Sequence, residues 1–384
     1  MKAPQQADRT VETFSLGQRP SLDGLRCISI LMVLVLHLPG HENILPGGFL
    51  GVEIFFVISG FLITSLVVEE FEKTGKIDLR GFYMRRVLRL APALVAVLLF
   101  TGLVAFLAGS FNAVGLNGLR LSSAILYFSN WVRAFEGEPG PVWFLAHFWS
   151  LSIEEQFYLI WPVSLVFLLG KPRKTVFLAV LGFIVFLIAY KAGMYLSGAS
   201  AKRLYYGSDT RADAILVGCL LSLALHWGFF PSIIKRHSLL LSRIAWVVLV
   251  VFAVMVHCND GAILYLGGFT LVSLSSTLII ARVIFLPDKV LTHRVLVWIG
   301  KRSYGLYLWH WPIYLLAGAF ATYVVPVALL GTFVFAAVSF RYIEEPFLRL
   351  KHRYSKRREP QPGPSKMHDG LAPHSDTMLA CDKS

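Results

Sequence analysis

The sequence predicts an all-α polytopic membrane protein of about ten transmembrane helices with both termini in the cytoplasm. Three observations predict it. Hydrophobic residues make up 56% of the 384-residue chain and charged residues only 15%, with a mean hydropathy of +0.63, a composition of multi-pass membrane proteins. Apolar runs close to the ~20 residues that cross a ~30 Å hydrocarbon core recur along the chain. When these runs alternate sides, 30 of the 36 Lys and Arg fall on the side of the N-terminus, which the positive-inside rule makes the cytoplasm.

Composition also excludes some readings. The formal net charge of +13 is spread over short clusters between apolar runs, so no nucleic-acid partner is expected. Cys27, Cys219, Cys258 and Cys381 show neither CxxC nor Cys/His spacing, so neither a disulfide framework nor a metal site is expected. Residues 1–20 are polar, and the first apolar run contains an arginine and closes on His-Pro-Gly. No cleaved signal peptide is expected. The organisation is therefore a cytoplasmic segment (1–20), a transmembrane domain (21–350) and a basic tail (351–384). The tail turns rich in Pro, Gly and Ser and is expected to be disordered.

The first span, about 22–39, sets the frame. Arg26 and His37 interrupt it eleven residues apart; in a helix that separation leaves them roughly 20° apart on one face and ~16 Å apart along the axis. Ionisable groups in a span turn from lipid toward protein or a water-filled cavity. A snorkelling Arg and a buried, hydrogen-bonded His would also satisfy the spacing. The second span, 48–68, returns with Glu53 at the depth of His37, where a carboxylate can orient a histidine, or simply favour a helix N-terminus.

Next comes KIDLRGFYMRRVLRLAP, whose Arg80, Arg85, Arg86 and Arg89 among apolar residues read as an interfacial helix leading into the third span, 90–109. The longest outer segment, about 110–147, carries Trp131, Pro139, Pro141 and Trp143, with a short helix expected near Ser122–Tyr127. The fourth span, 148–169, opens on a face shared by His147, Ser150, Glu154 and Tyr158, with Glu155 turned some 100° away. Four further spans follow at 175–195, 211–230, 243–258 and 261–281. In the ninth, 303–321, Ser303, Tyr307, His310 and Tyr314 form one stripe, and the tenth covers 324–342. Arg26, Arg85, Arg86 and Arg89 gathered at the inner mouth suit a polyanion such as a nucleotide phosphate, although anionic lipid explains any one of them.

Six motifs in order resemble the membrane acyltransferase-3 family, bacterial integral-membrane proteins that mostly O-acetylate cell-surface polysaccharides. They are LDGLRCISILMVLVLH, GVEIFFVISGFLIT, FYMRRVLRLAPAL, FWSLSIEEQFYLIWP, SYGLYLWHWPI and YIEEPF. Glu53 stands where an Asp is common in that family, and the hydrolase-like domain that some members carry at the C-terminus is expected to be absent. The resemblance implies a bacterial inner (plasma) membrane location and an acyl-CoA donor, usually acetyl-CoA, entering from the cytoplasm. It implies a carbohydrate hydroxyl as acceptor on the other side. Arg26, Arg85, Arg86 and Arg89 would bind the donor. His37 would act as general base or carry the acyl group, oriented by Glu53 or Glu154. His147, Tyr158, Tyr307 and His310 would line the cavity, and Glu344 would pair structurally with an inner arginine.

Two other classes fit ten spans with inward polar residues. One is a transporter of polysaccharide or lipid-linked sugar, although no paired broken helices mark two halves. The other is a membrane partner that passes acyl groups to a separate enzyme. The sequence leaves the acceptor and the oligomeric state open.

Overall fold

The structure, a computed structural model, describes residues 14–41, 43–111, 115–136, 143–318 and 325–356, the last six by backbone alone. The first thirteen residues, Pro139, Pro141, positions 319–324 and the tail from 357 onward, Cys381 included, lie outside the described residues. Among the described residues the chain is helical and contains no strand.

Helix α1 (Pro20–Leu36) starts on a proline, whose missing amide costs nothing in a first turn, and its chain turns away at Pro39–Gly40. A 3₁₀ turn at Pro46–Phe49 leads into α2 (Leu50–Thr74), which Gly75 ends in the left-handed region at φ 70°. Asp78 caps α3 (Leu79–Leu107) by accepting the Gly81 amide. Here the sequence expectation changes: the amphipathic segment and the third span form one uninterrupted helix, with Pro92 inside it. Membrane helices tolerate such prolines because neighbouring groups satisfy the freed carbonyl.

The long connection folds into two short helices, α4 (Gly118–Ile125) and α5 (Ser129–Phe135). Helices α6 (Phe148–Leu168), α7 (Arg173–Leu196), α8 (Ala201–Tyr206) and α9 (Ser208–His226) follow. Beyond them come α10 (Ser232–Arg236), α11 (Ser238–Met255) and α12 (Gly261–Ile263). A π turn at Leu264–Gly268 joins α12 to α13 (Phe269–Phe285). The chain closes with α14 (Arg294–Lys301), α15 (Ser303–Gly318), α16 (Val325–Ser339) and α17 (Glu345–Lys356). A second π turn, Phe340–Glu344, separates the last two and buries Glu344, which accepts a bond from Ser339 Oγ at 3.4 Å.

Seven helical stretches among the described residues are long and apolar enough to cross a membrane. Helices lie at the three other expected spans as well. Of these, α1 has 17 residues and α15 has 16, while α9 opens on Asp209, Arg211 and Asp213. The outer faces of α3, α7 and α11 expose Leu99, Phe106, Phe183, Phe186, Val247 and Met255, an apolar belt that only lipid or another apolar surface would cover.

Helix α2 is the axis of the bundle: 78% of its apolar stretch is buried, against 28% for α7. It packs on α9 at backbone contact. A methyl added at Gly60 would overlap the Ile215 carbonyl, and one at Gly218 the Val57 carbonyl, so two glycines set this closest approach. Four buried charges tie the same region together. Glu53 of α2 meets Arg211 of α9 at 2.7 Å, and Lys191 of α7 meets Asp213 at 2.5 Å. Ser273 of α13 donates to the second Glu53 oxygen at 2.7 Å, while the Arg211 guanidinium lies 3.9 Å from the Phe269 ring centre.

Candidate active site

Two cavities open along α1. Arg26 lines the first, together with Arg86, Arg89, Ser59, Glu154, Tyr158 and Tyr304. His37 lines the second, with Arg133, His147, Trp149, Tyr205, Tyr206 and Trp311. Their volumes, about 240 and 310 Å³, are several times the ~30 Å³ of one water, so each has room for part of a substrate. The stripe read from the sequence therefore joins two chambers, an arginine cavity and a histidine cavity.

In the arginine cavity, Arg86 is committed: it bonds Glu155 at 3.0 Å, and its guanidinium carbon sits over the Tyr158 ring, 3.3 Å from its centre. Arg26 and Arg89 have no hydrogen-bond or ion-pair partner among the described residues. Glu154 and Glu155 line the same chamber without bonding either of them. Glu154 accepts the Ser59 hydroxyl at 2.6 Å on the same wall. Arg85, expected beside Arg86 and Arg89, points elsewhere. It pairs with Glu70 at 3.4 Å and does not line the cavity.

The histidine cavity is organised by backbone carbonyls. His147 directs Nε2–H to Leu308 O at 3.2 Å, and His310 directs Nδ1–H to Tyr307 O at 2.6 Å. A carbonyl only accepts, so each bond fixes a tautomer and leaves a lone pair on the other nitrogen: Nδ1 of His147 and Nε2 of His310. His310 is fully buried behind the cavity rather than on its wall, 5.3 Å ring to ring from both His37 and His147. His37 also packs edge-on against Trp311 at 5.0 Å, and its Nδ1 has no hydrogen-bond partner among the described residues.

The carboxylate expected to orient His37 is absent from this group. Both Glu53 oxygens are taken, one by Arg211 and one by Ser273, so Glu53 holds helices together. Glu154 faces the arginine cavity and not the histidine cavity. Glu344, expected to pair with an arginine, has Ser339 as its hydrogen-bond partner among the described residues.

Arg133 was not singled out from sequence. It donates to the Tyr206 hydroxyl at 2.6 Å and sits in the histidine cavity, with a buried Nε left unpaired. Its helix α5 is fixed through Asn130, which donates to Tyr206 O at 3.0 Å and to Ser208 at 2.9 Å and accepts from Gln156. The available signal was its place beside Trp131 in the longest outer segment. The buried Lys191, Arg211 and Asp213 were likewise unclaimed, although ionisable residues inside apolar runs are a warning of buried partners.

The profile of the acyltransferase 3 family, described as an acyltransferase domain, matches residues 19–343. The chain is 34% identical over 352 residues to a peptidoglycan O-acetyltransferase, OatA, of Listeria monocytogenes, covering 85% of this chain and 55% of that protein. It is 37% identical over 372 residues to the O-acetyltransferase OatA of Staphylococcus aureus strain NCTC 8325, covering 88% and 58%. The chain thus spans a little over half the length of these relatives. No solved structure matches it.

Proposed function

Since this chain belongs to the acyltransferase 3 family, we propose that it moves an acyl group, acetyl first of all, from cytoplasmic acyl-CoA to a carbohydrate hydroxyl across the membrane. In this reading ten helices span the bilayer, both termini are cytoplasmic and the arginine cavity faces inward. The name of the Listeria relative makes peptidoglycan the first acceptor to test.

The observation that carries the reading is the pair Arg26 and Arg89, two cations with no hydrogen-bond or ion-pair partner among the described residues, in one chamber at the far end of the helix that bears His37. Neither guanidinium is committed to a side-chain bond, so both are available for charge-assisted hydrogen bonds to the diphosphate of CoA. The thioester then lies toward the histidine cavity. There His37 takes the proton of the acceptor hydroxyl as its oxygen attacks the acyl carbon, or its own nitrogen attacks first and passes the acyl group on. The C–S bond breaks, a C–O ester bond forms, and the departing thiolate is protonated. Trp311 and His310 hold the His37 ring in place for either route.

The test is acyl-CoA turnover by membranes containing the protein, with peptidoglycan glycan strands added and free CoA thiol as readout. Thiol release that depends on acceptor and vanishes in His37→Ala at equal expression is the expected result. Membranes in which the wild type never releases thiol, while a sugar substrate crosses them, would sink acyl transfer and favour transport.

A further inference from the structure

The two cavities share two lining residues, Val52 of α2 and Tyr307 of α15. Arg26 lies on one side of that pair and His37 on the other. An acyl group carried from a donor held by the arginines to His37 has to pass between them.

Both residues are rigidly held. The Tyr307 hydroxyl donates to the His147 carbonyl at 2.8 Å and is 2.5 Å from Ser150 Oγ, which donates to it in turn. The Tyr307 carbonyl accepts the His310 bond. Val52 is flanked by Gly51, where an added methyl would overlap the Ser29 carbonyl of α1, and by Glu53 in its ion pair. Neither helix can draw back without breaking a buried contact. A β-branched residue has one favoured rotamer in a helix, so Val52 presents a fixed edge. Exposure of 6% for Val52 and 7% for Tyr307 leaves little slack on either side.

We propose that Val52 and Tyr307 form the partition that the acyl group crosses, and that the Val52 side chain limits transfer to short acyl chains. This rests on the acyl-transfer reading above. The carbonyl carbon reaches the gap while still bonded to sulfur: oxygen or the His37 nitrogen adds to it from the histidine side, the C–S bond then breaks, and the thiolate stays with CoA on the arginine side, where it is protonated. The filter therefore discriminates by acyl length and not by affinity for CoA.

The test compares acetyl-, propionyl- and butyryl-CoA in wild type, Val52→Ala and Val52→Phe, reading thiol release with acceptor and, separately, CoA binding. One methylene in a snug apolar site is worth on the order of 10–200-fold in specificity. Wild type is expected to prefer acetyl over butyryl, and Val52→Ala to narrow that preference at least about tenfold. Val52→Phe should lose transfer of all three while still binding CoA; where it also loses CoA, the Val52→Ala profile decides. An unchanged chain-length profile in an active Val52→Ala protein overturns the partition and leaves acyl transfer standing. Absence of thiol release from the wild type with every donor overturns both.

Discussion

Glu53 and Arg211 meet at 2.7 Å with 1% of each side chain exposed, 158 residues apart in sequence. Ser273 closes the remaining Glu53 oxygen and Phe269 covers the guanidinium. This pair joins α2 to α9 beside their glycine contact. Removing one member of a buried pair leaves the other charge uncompensated, at a cost of about 3–5 kcal/mol. Glu53→Ala is therefore expected to lower the unfolding temperature of the detergent-solubilised protein sharply. Arg211→Met added to Glu53→Ala should restore part of the loss, since the orphaned charge is gone. A stable Glu53→Ala protein with slow turnover would instead return Glu53 to the chemistry.

Two arginines one turn apart on α3, Arg85 and Arg89, should separate by function. Arg89 lines the arginine cavity without a partner, so Arg89→Ala is expected to weaken CoA binding by about 10–100-fold, the loss of one or two charge-assisted bonds. Arg85 pairs with Glu70 away from the cavity, and a partly exposed pair contributes at most about 1 kcal/mol. Arg85→Ala should leave CoA affinity within about twofold. Calorimetric titration with CoA distinguishes them; equal losses would mean that both arginines reach the donor.

Arg133 offers a prediction on the acceptor side. It shares the histidine cavity with His37 and anchors to the Tyr206 hydroxyl. Arg133→Ala is expected to raise KM for the carbohydrate by roughly tenfold while KM for acyl-CoA holds, matching one lost hydrogen bond to a charged group. A rise confined to the acyl-CoA KM would move Arg133 to the donor.

His310 supports rather than lines. Its ring lies 5.3 Å from those of both His37 and His147 and is fixed by the Tyr307 carbonyl. His310→Ala should lower kcat for CoA release with KM for acyl-CoA little changed, and His310→Gln, which can still donate to that carbonyl, should recover part of it. Identical losses in both variants would deny the positioning role.

Much of this was legible from periodicity. The eleven-residue interval placed Arg26 and His37 on one helical stripe, and α1 opens them into two cavities along it. The i, i+4 rule gathered Ser150, Glu154 and Tyr158 on the wall of one cavity. What spacing along one helix cannot supply is the partner from another. Glu53 was assigned to His37 because the next helix returns past it, yet Arg211 and Ser273 lie 158 and 220 residues further on. Arg85 was grouped with Arg86 and Arg89 by proximity along one helix, which does not report that Glu70 of α2 claims it. His310 fell behind the cavity because three rings pack together there, a tertiary arrangement that no single stripe encodes. Arg133 was hidden in a connection whose two short helices are held by the Gln156, Asn130 and Ser208 bonds.

The most direct test of the central claim separates binding from turnover along α1. Purified protein in nanodiscs is titrated with acetyl-CoA, and CoA release with peptidoglycan strands is followed in the same preparation for Arg26→Ala and His37→Ala. Arg26→Ala is expected to lose affinity for acetyl-CoA by about 10–100-fold. His37→Ala is expected to bind acetyl-CoA as the wild type does and to release CoA about 10²–10⁴-fold more slowly. Wild-type turnover in His37→Ala, or wild-type affinity in Arg26→Ala, would contradict a donor held at one end of α1 and chemistry at the other.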